Sequence, residues 1–369
     1  MNRTRLILAA ALAALGASPL SAQAPQPEPD RPIDAASRAA VVENVISALD
    51  RAYVFPEKAR EMGAALRQRV RRREYDAVTS SRAFADSLTS HLQAVSHDKH
   101  LRVRFSPEPL PPEDTTQRRE TPEELARRRD RARVTNFGFE KVERLAGNVG
   151  YLEIRGFNDP GIASETAVAA MSFLANADAL IIDLRRNGGG SPGMVQLVSS
   201  YLFDEPTHLN SLYFRPADRT DQFWTLPYVP GRRFGQEKPV YVLTSERTFS
   251  AAEEFTYNLQ NLKRATVVGD TTGGGAHPGG VRRVGDHFGV FVPSGRAISP
   301  VTNTNWEGTG IRPDVAVPTA HALQTAYVDA LGKVLEKTTA PELRRQLQDV
   351  LAEERRKLDE MRAGRPAGG

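Results

Sequence analysis

KPVYVLTSERTFSAAEE, residues 238–254, is the stretch on which the fold turns. Val240, Tyr241, Val242 and Leu243 form a short β-branched and apolar run, the composition of a strand buried on both faces. Residues 244–249 make the turn. Ser250-Ala251-Ala252-Glu253 then reads S-x-x-E, the box in which a serine caps a helix and a glutamate three residues on returns the hydrogen bond. Ser250 therefore has two readings. It is an N-cap, or it is a nucleophile, since a hydroxyl at a helix mouth lies beside free backbone N–H groups and the positive end of the dipole, where an oxyanion site can coexist with it. Thr248 or Ser245 could cap in its place.

Strand and helix alternate on both sides of this stretch. Upstream come predicted strands at residues 137–144, 149–154 and 179–184, with helices at 164–175 and 192–202. A strand follows near Leu212, then a loop with Trp224; downstream Thr266-Val267-Val268 is another buried strand, and 285–292 with 295–298 is hairpin material. This traffic predicts an α/β core over residues 101–318. Before it, Val41, Val42, Val45, Ile46, Leu49 and Tyr53 recur at threes and fours, the first of several amphipathic helices forming an N-terminal helical subdomain over 33–100. Residues 101–105 alternate and begin a strand. Residues 107–133 are rich in Pro and charge and predict a mobile excursion with one short helix near 122–129. Residues 319–369 predict a C-terminal helical extension, its charged last half packed along the outside.

The 369 residues can bury a large core. Residues 1–24 have a basic start (Arg3, Arg5), an apolar run and an A-x-A site at Ala22-Gln23-Ala24, the pattern of a secretory signal peptide too short for a stable membrane span. A Pro-rich spacer, 25–32, predicts a disordered linker. Without the two leader arginines, 47 Lys+Arg face 45 Asp+Glu, a mature charge of +2 that argues against nucleic acid as a partner. Cysteine is absent, which excludes disulfides, thiol nucleophiles and thiolate metal sites.

Asp183-Leu184-Arg185-Arg186-Asn187-Gly188-Gly189-Gly190-Ser191-Pro192 is the second informative stretch. A buried strand enters three glycines, and Ser191 and Pro192 suit the start of the next helix. The glycines make a tight turn, or let backbone N–H groups approach a ligand as an oxyanion hole requires. Gly188, Gly190 and Gly193 also satisfy the spacing of a dinucleotide fingerprint, but Pro192 sits inside it and the next strand ends in Arg215 rather than an acidic residue. A serine nucleophile needs a base. Lys263 lies roughly 20 Å along the helix from Ser250, too far to serve. Among the seven histidines His100 stands out, closing the helical subdomain at a strand entry with Asp98 two residues before it; His97 is the alternative. His97 and His100 could share a metal, but no thiol and no clear third ligand accompany them.

Taken together, these stretches resemble the tail-specific, or C-terminal-processing, serine peptidases, in the branch of the tricorn core and the interphotoreceptor retinoid-binding protein that lacks a PDZ domain. The resemblance spans residues 33–318. It rests on ordered blocks: Tyr53-Val54-Phe55-Pro56-Glu57-Lys58-Ala59, Ser96-His97-Asp98-Lys99-His100-Leu101, residues 183–190, Thr248-Phe249-Ser250-Ala251-Ala252-Glu253, residues 268–274 and Gly308-Thr309-Gly310-Ile311-Arg312-Pro313-Asp314. It implies a crotonase-like α/β core of ββα units under a helical cap. It also implies Ser250 as nucleophile, an oxyanion hole from Ala251 and Gly188 or Gly189, His100 as base and Glu307 orienting the site. In bacterial processing peptidases the base is a lysine on the glycine loop after the serine helix; Gly275 stands there in this chain, which leaves the histidine arrangement. Lys99, where the tricorn pattern has serine, breaks the expected relay from His100 to Glu307. The implied activity is peptide-bond hydrolysis by an exported, periplasmic or secreted enzyme, with no metal or cofactor and a peptide or protein substrate. The rival is a non-catalytic binding protein for an apolar ligand or peptide. Oligomeric state stays open.

Overall fold

Three strands buried at every position, β3 (Val149–Ile154), β4 (Ala179–Asp183) and β7 (Val240–Thr244), with one partly exposed exception at Glu153, make the centre of the molecule. They belong to a six-stranded sheet whose order is β12-β8-β7-β4-β3-β2, with β2 at Phe139–Leu145, β8 at Thr266–Gly269 and β12 at Val315–Ala316. Only β2 runs antiparallel; the other neighbours are parallel, so β4 and β7 end side by side. The computed structural model describes residues 29–112 and 120–364; the leader-like segment and part of the spacer and excursion lie outside them.

Helices cover both faces, which is why these strands read as apolar runs rather than alternating ones. On one side pack α5 (Pro160–Leu174), α6 (Pro192–Ser200) and α7 (Ala251–Asn261), through Met171, Leu174, Val198, Phe255 and Leu259. On the other lie α8 (Ala322–Lys337) and α9 (Pro341–Arg362), joined to the sheet through Tyr241, Ala326, Leu331 and Leu351. A charged α9 stays on the outside because only Leu347, Leu351 and Leu358 of its surface are buried.

At the N-terminal end α1 (Ala35–Ala52), α2 (Pro56–Arg71) and α3 (Ser81–Ser96) form the expected helical unit. Its core is not self-contained. β1 (Arg102–Phe105) pairs antiparallel with β10 (Phe288–Pro293), which pairs with β9 (Gly279–Gly285), and Val290 and Val292 pack among Leu49, Phe84 and Leu88. The hairpin is therefore 279–293, earlier than the one predicted, and β11 (Gly295–Ile298) instead pairs with β5 (His208–Phe214), which pairs with β6 (Arg219–Trp224). Trp224 sits on this strand rather than in a loop; β6 is an edge strand whose one covered face is only partly buried, at Asp221 and Phe223, so it carries too few apolar residues to read as a strand. Two further expectations are corrected. Residues 30–32 are held in place, with Asp30 accepting from Ser80 Oγ at 2.6 Å and Pro32 bridged to Ser80. The excursion carries a longer helix, α4 (Pro122–Arg133), started by a complete Thr121–Glu124 capping box.

Candidate active site

Because β4 and β7 are parallel neighbours, the glycine loop and the Ser250 turn emerge together at their carboxyl ends, where open α/β sheets bind ligands. The turns are tied to each other. Phe249 N–H donates to the Asn187 carbonyl at 3.1 Å, and Thr248 Oγ1 donates to the Leu184 carbonyl at 2.8 Å. Approach is so close that a Cβ at Gly189 would lie 2.7 Å from Ser250 Cβ and 3.0 Å from Ala251 N, and Gly189 takes φ +109°. Only glycine fits there.

Ser250 occupies the N-cap position of α7 with φ 57° and ψ −123°. A non-glycine residue at such angles is strained by about 1–3 kcal/mol, and this strained strand-to-helix turn is how a nucleophile is held up at a helix mouth. The two readings of Ser250 are thus one geometry. Glu253 is the residue that holds it. Its Oε2 accepts from the N–H of Ser250 at 2.9 Å and of Gly275 at 2.8 Å, and its Oε1 accepts from Thr272 Oγ1 at 2.5 Å and Gly274 N–H at 2.7 Å. Burial pushes its carboxyl up and these hydrogen bonds push it back. Thr272 Oγ1 also accepts from Ile311 N–H, which ties the same loop to residue 311. Burial outweighs these bonds, so the carboxyl stays above its ordinary value.

The first N–H of α7, at Ala251, is one that a helix cannot satisfy internally. Of the two glycine donors expected beside it, Gly189 is already committed, donating to Asn187 Oδ1 at 2.8 Å. Gly188 lines the cleft together with Ser250 and Ala251, and a Cβ there would touch nothing within 4 Å.

His100 lines the same cleft, brought there by β1 pairing with β10. Its ring lies 4.5 Å from Phe249 and 5.8 Å from Phe291, an aromatic slot that leaves the side chain 12% exposed. Burial is the main reason its pKa falls to about 4; Asp98 pulls it up, and His277 and Arg102 pull it down. A histidine with so low a pKa is neutral across the physiological range, the form a general base needs. Its Nδ1 is buried and unpartnered, with the nearest carboxylate oxygen, Asp98 Oδ1, 4.0 Å away. His97 is the exposed left-handed C-cap of α3 and does not line the cleft.

Glu307 is not brought to His100. Its Oε2 accepts from Ala276 N–H at 2.5 Å and lies 3.5 Å from Nδ1 of His277, and that nitrogen lies 2.8 Å from Asp98 Oδ2. Tyr53 OH donates to the same Asp98 oxygen at 3.2 Å, while Oδ1 accepts the backbone N–H of His100 at 3.0 Å. Burial, then the charge of Asp98, raises the Glu307 pKa. Asp98 therefore stands between His100 and a Tyr53–His277–Glu307 cluster, while Lys99 Nζ donates to the Gly273 carbonyl at 2.6 Å. Asp98, His277 and Glu307 offer donor atoms within 4.8 Å of one another, so these three residues could hold a cation. Sequence reasoning weighed His277 only as one of seven histidines; its place in the glycine loop, two residues after Gly275, was the available signal.

Gly275 leaves room for His100. A Cβ there would lie 2.3 Å from Phe249 Cζ and 2.7 Å from His100 Cε1, so the space beside this position is filled by the imidazole and its slot. Gly275→Ala is expected to displace the His100 ring and cut kcat by about 100-fold, with KM little changed. Steady-state kinetics on one peptide substrate check this, and an unaffected kcat would mean the ring needs no such slot.

The cleft enclosing these residues is about 800 Å³ in volume. Residues 148–317 match the family model described as Peptidase family S41, and residues 35–134 match the one described as the N-terminal domain of Peptidase_S41 in eukaryotic IRBP. The chain belongs to peptidase family S41. Serine-type peptidase is the class of that family. Carboxyl-terminal-processing peptidase 1, chloroplastic, of Arabidopsis thaliana is 28% identical over 183 residues, which is 48% of this S41 chain and 35% of the relative. The match thus spans about a third of that relative's length. Among solved structures, a putative peptidase from Parabacteroides merdae shares 19% identity at a TM-score of 0.54, covering 82% of this chain and 99% of that one. A lipoprotein from Streptococcus agalactiae shares 14% at 0.53, covering 80% and 96%. These two likenesses are of fold. Among the described residues no helix is long and apolar enough to cross a membrane.

Proposed function

We propose that this S41 chain hydrolyses peptide bonds through an acyl-enzyme on Ser250. The observation that carries this reading is the strained Ser250 at the mouth of α7, in one cleft with a buried neutral histidine and the Gly188 and Ala251 backbone. His100 takes the Ser250 proton as Oγ attacks the carbonyl carbon. The N–H groups of Ala251 and Gly188 receive the oxyanion, each such donor being worth about 3 kcal/mol in hydrolases. Collapse of the tetrahedral intermediate expels the amine, which takes the proton from His100, and water then hydrolyses the ester with the same base. Asp98, the carboxylate nearest Nδ1, stabilises the imidazolium that forms; Tyr53 and His277 hold Asp98, and Glu307 sits on the far side of His277. The leader-like residues 1–24 support an exported protein, a periplasmic or secreted peptidase; a purified form whose N-terminus still begins at Met1 would overturn that part.

A fluorophosphonate probe is expected to label the wild type and to fail on His100→Ala. Labelling retained at the wild-type rate without the imidazole would remove His100 from the reading. The pH profile gives a second check. The base must be neutral, so on a substrate without a basic side chain kcat/KM is expected to rise with pH through a limb near the His100 value of about 4 and to be flat above it. A limb at the ordinary histidine value of 6.5 would assign the base elsewhere. Stability follows the same sign: the unfolded chain protonates this residue first, so the folded state loses stability as pH falls from 6.5 towards 4.

A further inference from the structure

One turn beyond Ser250 on α7, Glu254 also lines the cleft, 4% exposed and without an ion pair among the described residues. Buried beside it is Asn210 of β5, whose amide is near enough to lower the Glu254 pKa yet makes no well-formed hydrogen bond. Asn258, one further turn along the same helix face, is 3% exposed; Asn210 is fully buried. Both side-chain atoms of both asparagines are buried and unpartnered. Four orphaned amide atoms are a large cost, since a buried polar atom left without a partner loses the hydrogen bond it made to water. Burial, opposed only by Asn210, pushes Glu254 up to about 7.

The surroundings give this cluster a direction. Leu212 and Phe214 follow Asn210 on the same face of β5 and line the cleft, and Trp306 and Ala297 complete an apolar wall. The result is an apolar wall beside the nucleophile with Glu254 as the one acid among the residues lining the cleft; Lys99, Arg102 and Arg104 line it too, and none of them is ion-paired with Glu254. Glu254 lies about 6 Å along the helix axis from Ser250. A side chain that lies along such a wall and reaches that acid needs an apolar stem and a charged donor tip, which is the build of lysine and arginine.

We propose that Glu254, with Asn210 and Asn258, forms a specificity subsite for the basic side chain of a substrate residue adjoining the scissile bond. This deepens the peptidase reading and rests on it. The carboxylate and amide oxygens accept the ammonium or guanidinium donors, and Leu212 and Trp306 cover the methylenes. The subsite discriminates against aliphatic side chains, which would leave the acceptors unpaired, and against acidic ones, which would place like charge beside Glu254.

The test uses the full chain carrying Ser250→Ala, so that binding is read without turnover. The probes are peptides of the form acetyl-Ala-Ala-Xaa-Ala-Ala-amide with Xaa as lysine, arginine, glutamine, norleucine or glutamate, titrated by calorimetry. Lysine and arginine peptides are expected to bind at least about tenfold more tightly than norleucine. Glu254→Gln in the same background is expected to erase that difference, its folding checked by thermal melting. Equal affinity for lysine and norleucine in the chain with Glu254 intact, tighter binding of glutamine, no binding of the basic peptides, or a preference that survives Glu254→Gln would each overturn the proposal; a cluster satisfied by water alone gives the first of these. Fluorophosphonate labelling of the wild type reports separately on Ser250, so loss of the subsite and loss of the peptidase reading are distinguishable.

Discussion

Ser250→Ala is expected to abolish turnover, lowering kcat by about 10⁶, as removal of a serine nucleophile does in other hydrolases. The protein should stay folded, because alanine carries the same Cβ into the same backbone and adds no new strain at φ 57°. A companion change sharpens the reading. Ser250→Gly is expected to be equally inactive and to be more stable by about 1 kcal/mol, since glycine adopts this conformation without the Cβ clash. Single-turnover peptide cleavage and urea denaturation measure the pair. Hydrolysis at the wild-type rate in Ser250→Ala would end the assignment; a glycine variant less stable than wild type would show that the turn is not strained.

The second large effect is expected at Glu253. Glu253→Ala strips the acceptor from three backbone N–H groups, at Ser250, Gly274 and Gly275, and from the Thr272 hydroxyl, all in the interior. Orphaned donors of this kind, with a cavity added, are expected to cost about 3–5 kcal/mol. The same bonds fix the Ser250 turn against the loop that carries Gly275, so any folded fraction should label with fluorophosphonate far more slowly than wild type. Chemical denaturation gives the first number and labelling kinetics the second. A loss below about 1 kcal/mol would mean that the loop and turn hold each other without Glu253.

Those four bonds also show where local pattern ends. S-x-x-E marked residues 250–253 as a helix start, and the Ser250–Glu253 half of that box is present. Nothing local says that the same glutamate accepts three more hydrogen bonds, from Thr272, Gly274 and Gly275. The apolar runs at 149–154, 179–183 and 240–244 were legible because burial on both faces leaves no polar positions, and the glycines at 188–190 because close approach to Ser250 admits nothing larger. The ordered blocks named Ser250, His100 and Gly275, and the structure places all three along one cleft.

The sequence by itself determined the central strands, most of the helices and the residue types available for chemistry, since periodicity, caps and turn residues act over a few positions. Tertiary structure alone decided their company. β1 reaches its partner β10 across the whole core, and that pairing, invisible in either strand, is what carries His100 into the cleft. His277 meets Asp98 over a separation of 179 residues and draws Glu307 away from His100. Glu254, read along the helix, is an ordinary first-turn acid; only the packing of β5 over α7 buries it beside Asn210 without a counter-charge. Contacts between distant segments are set by the summed burial of their elements, and no single pair leaves a signature in the chain.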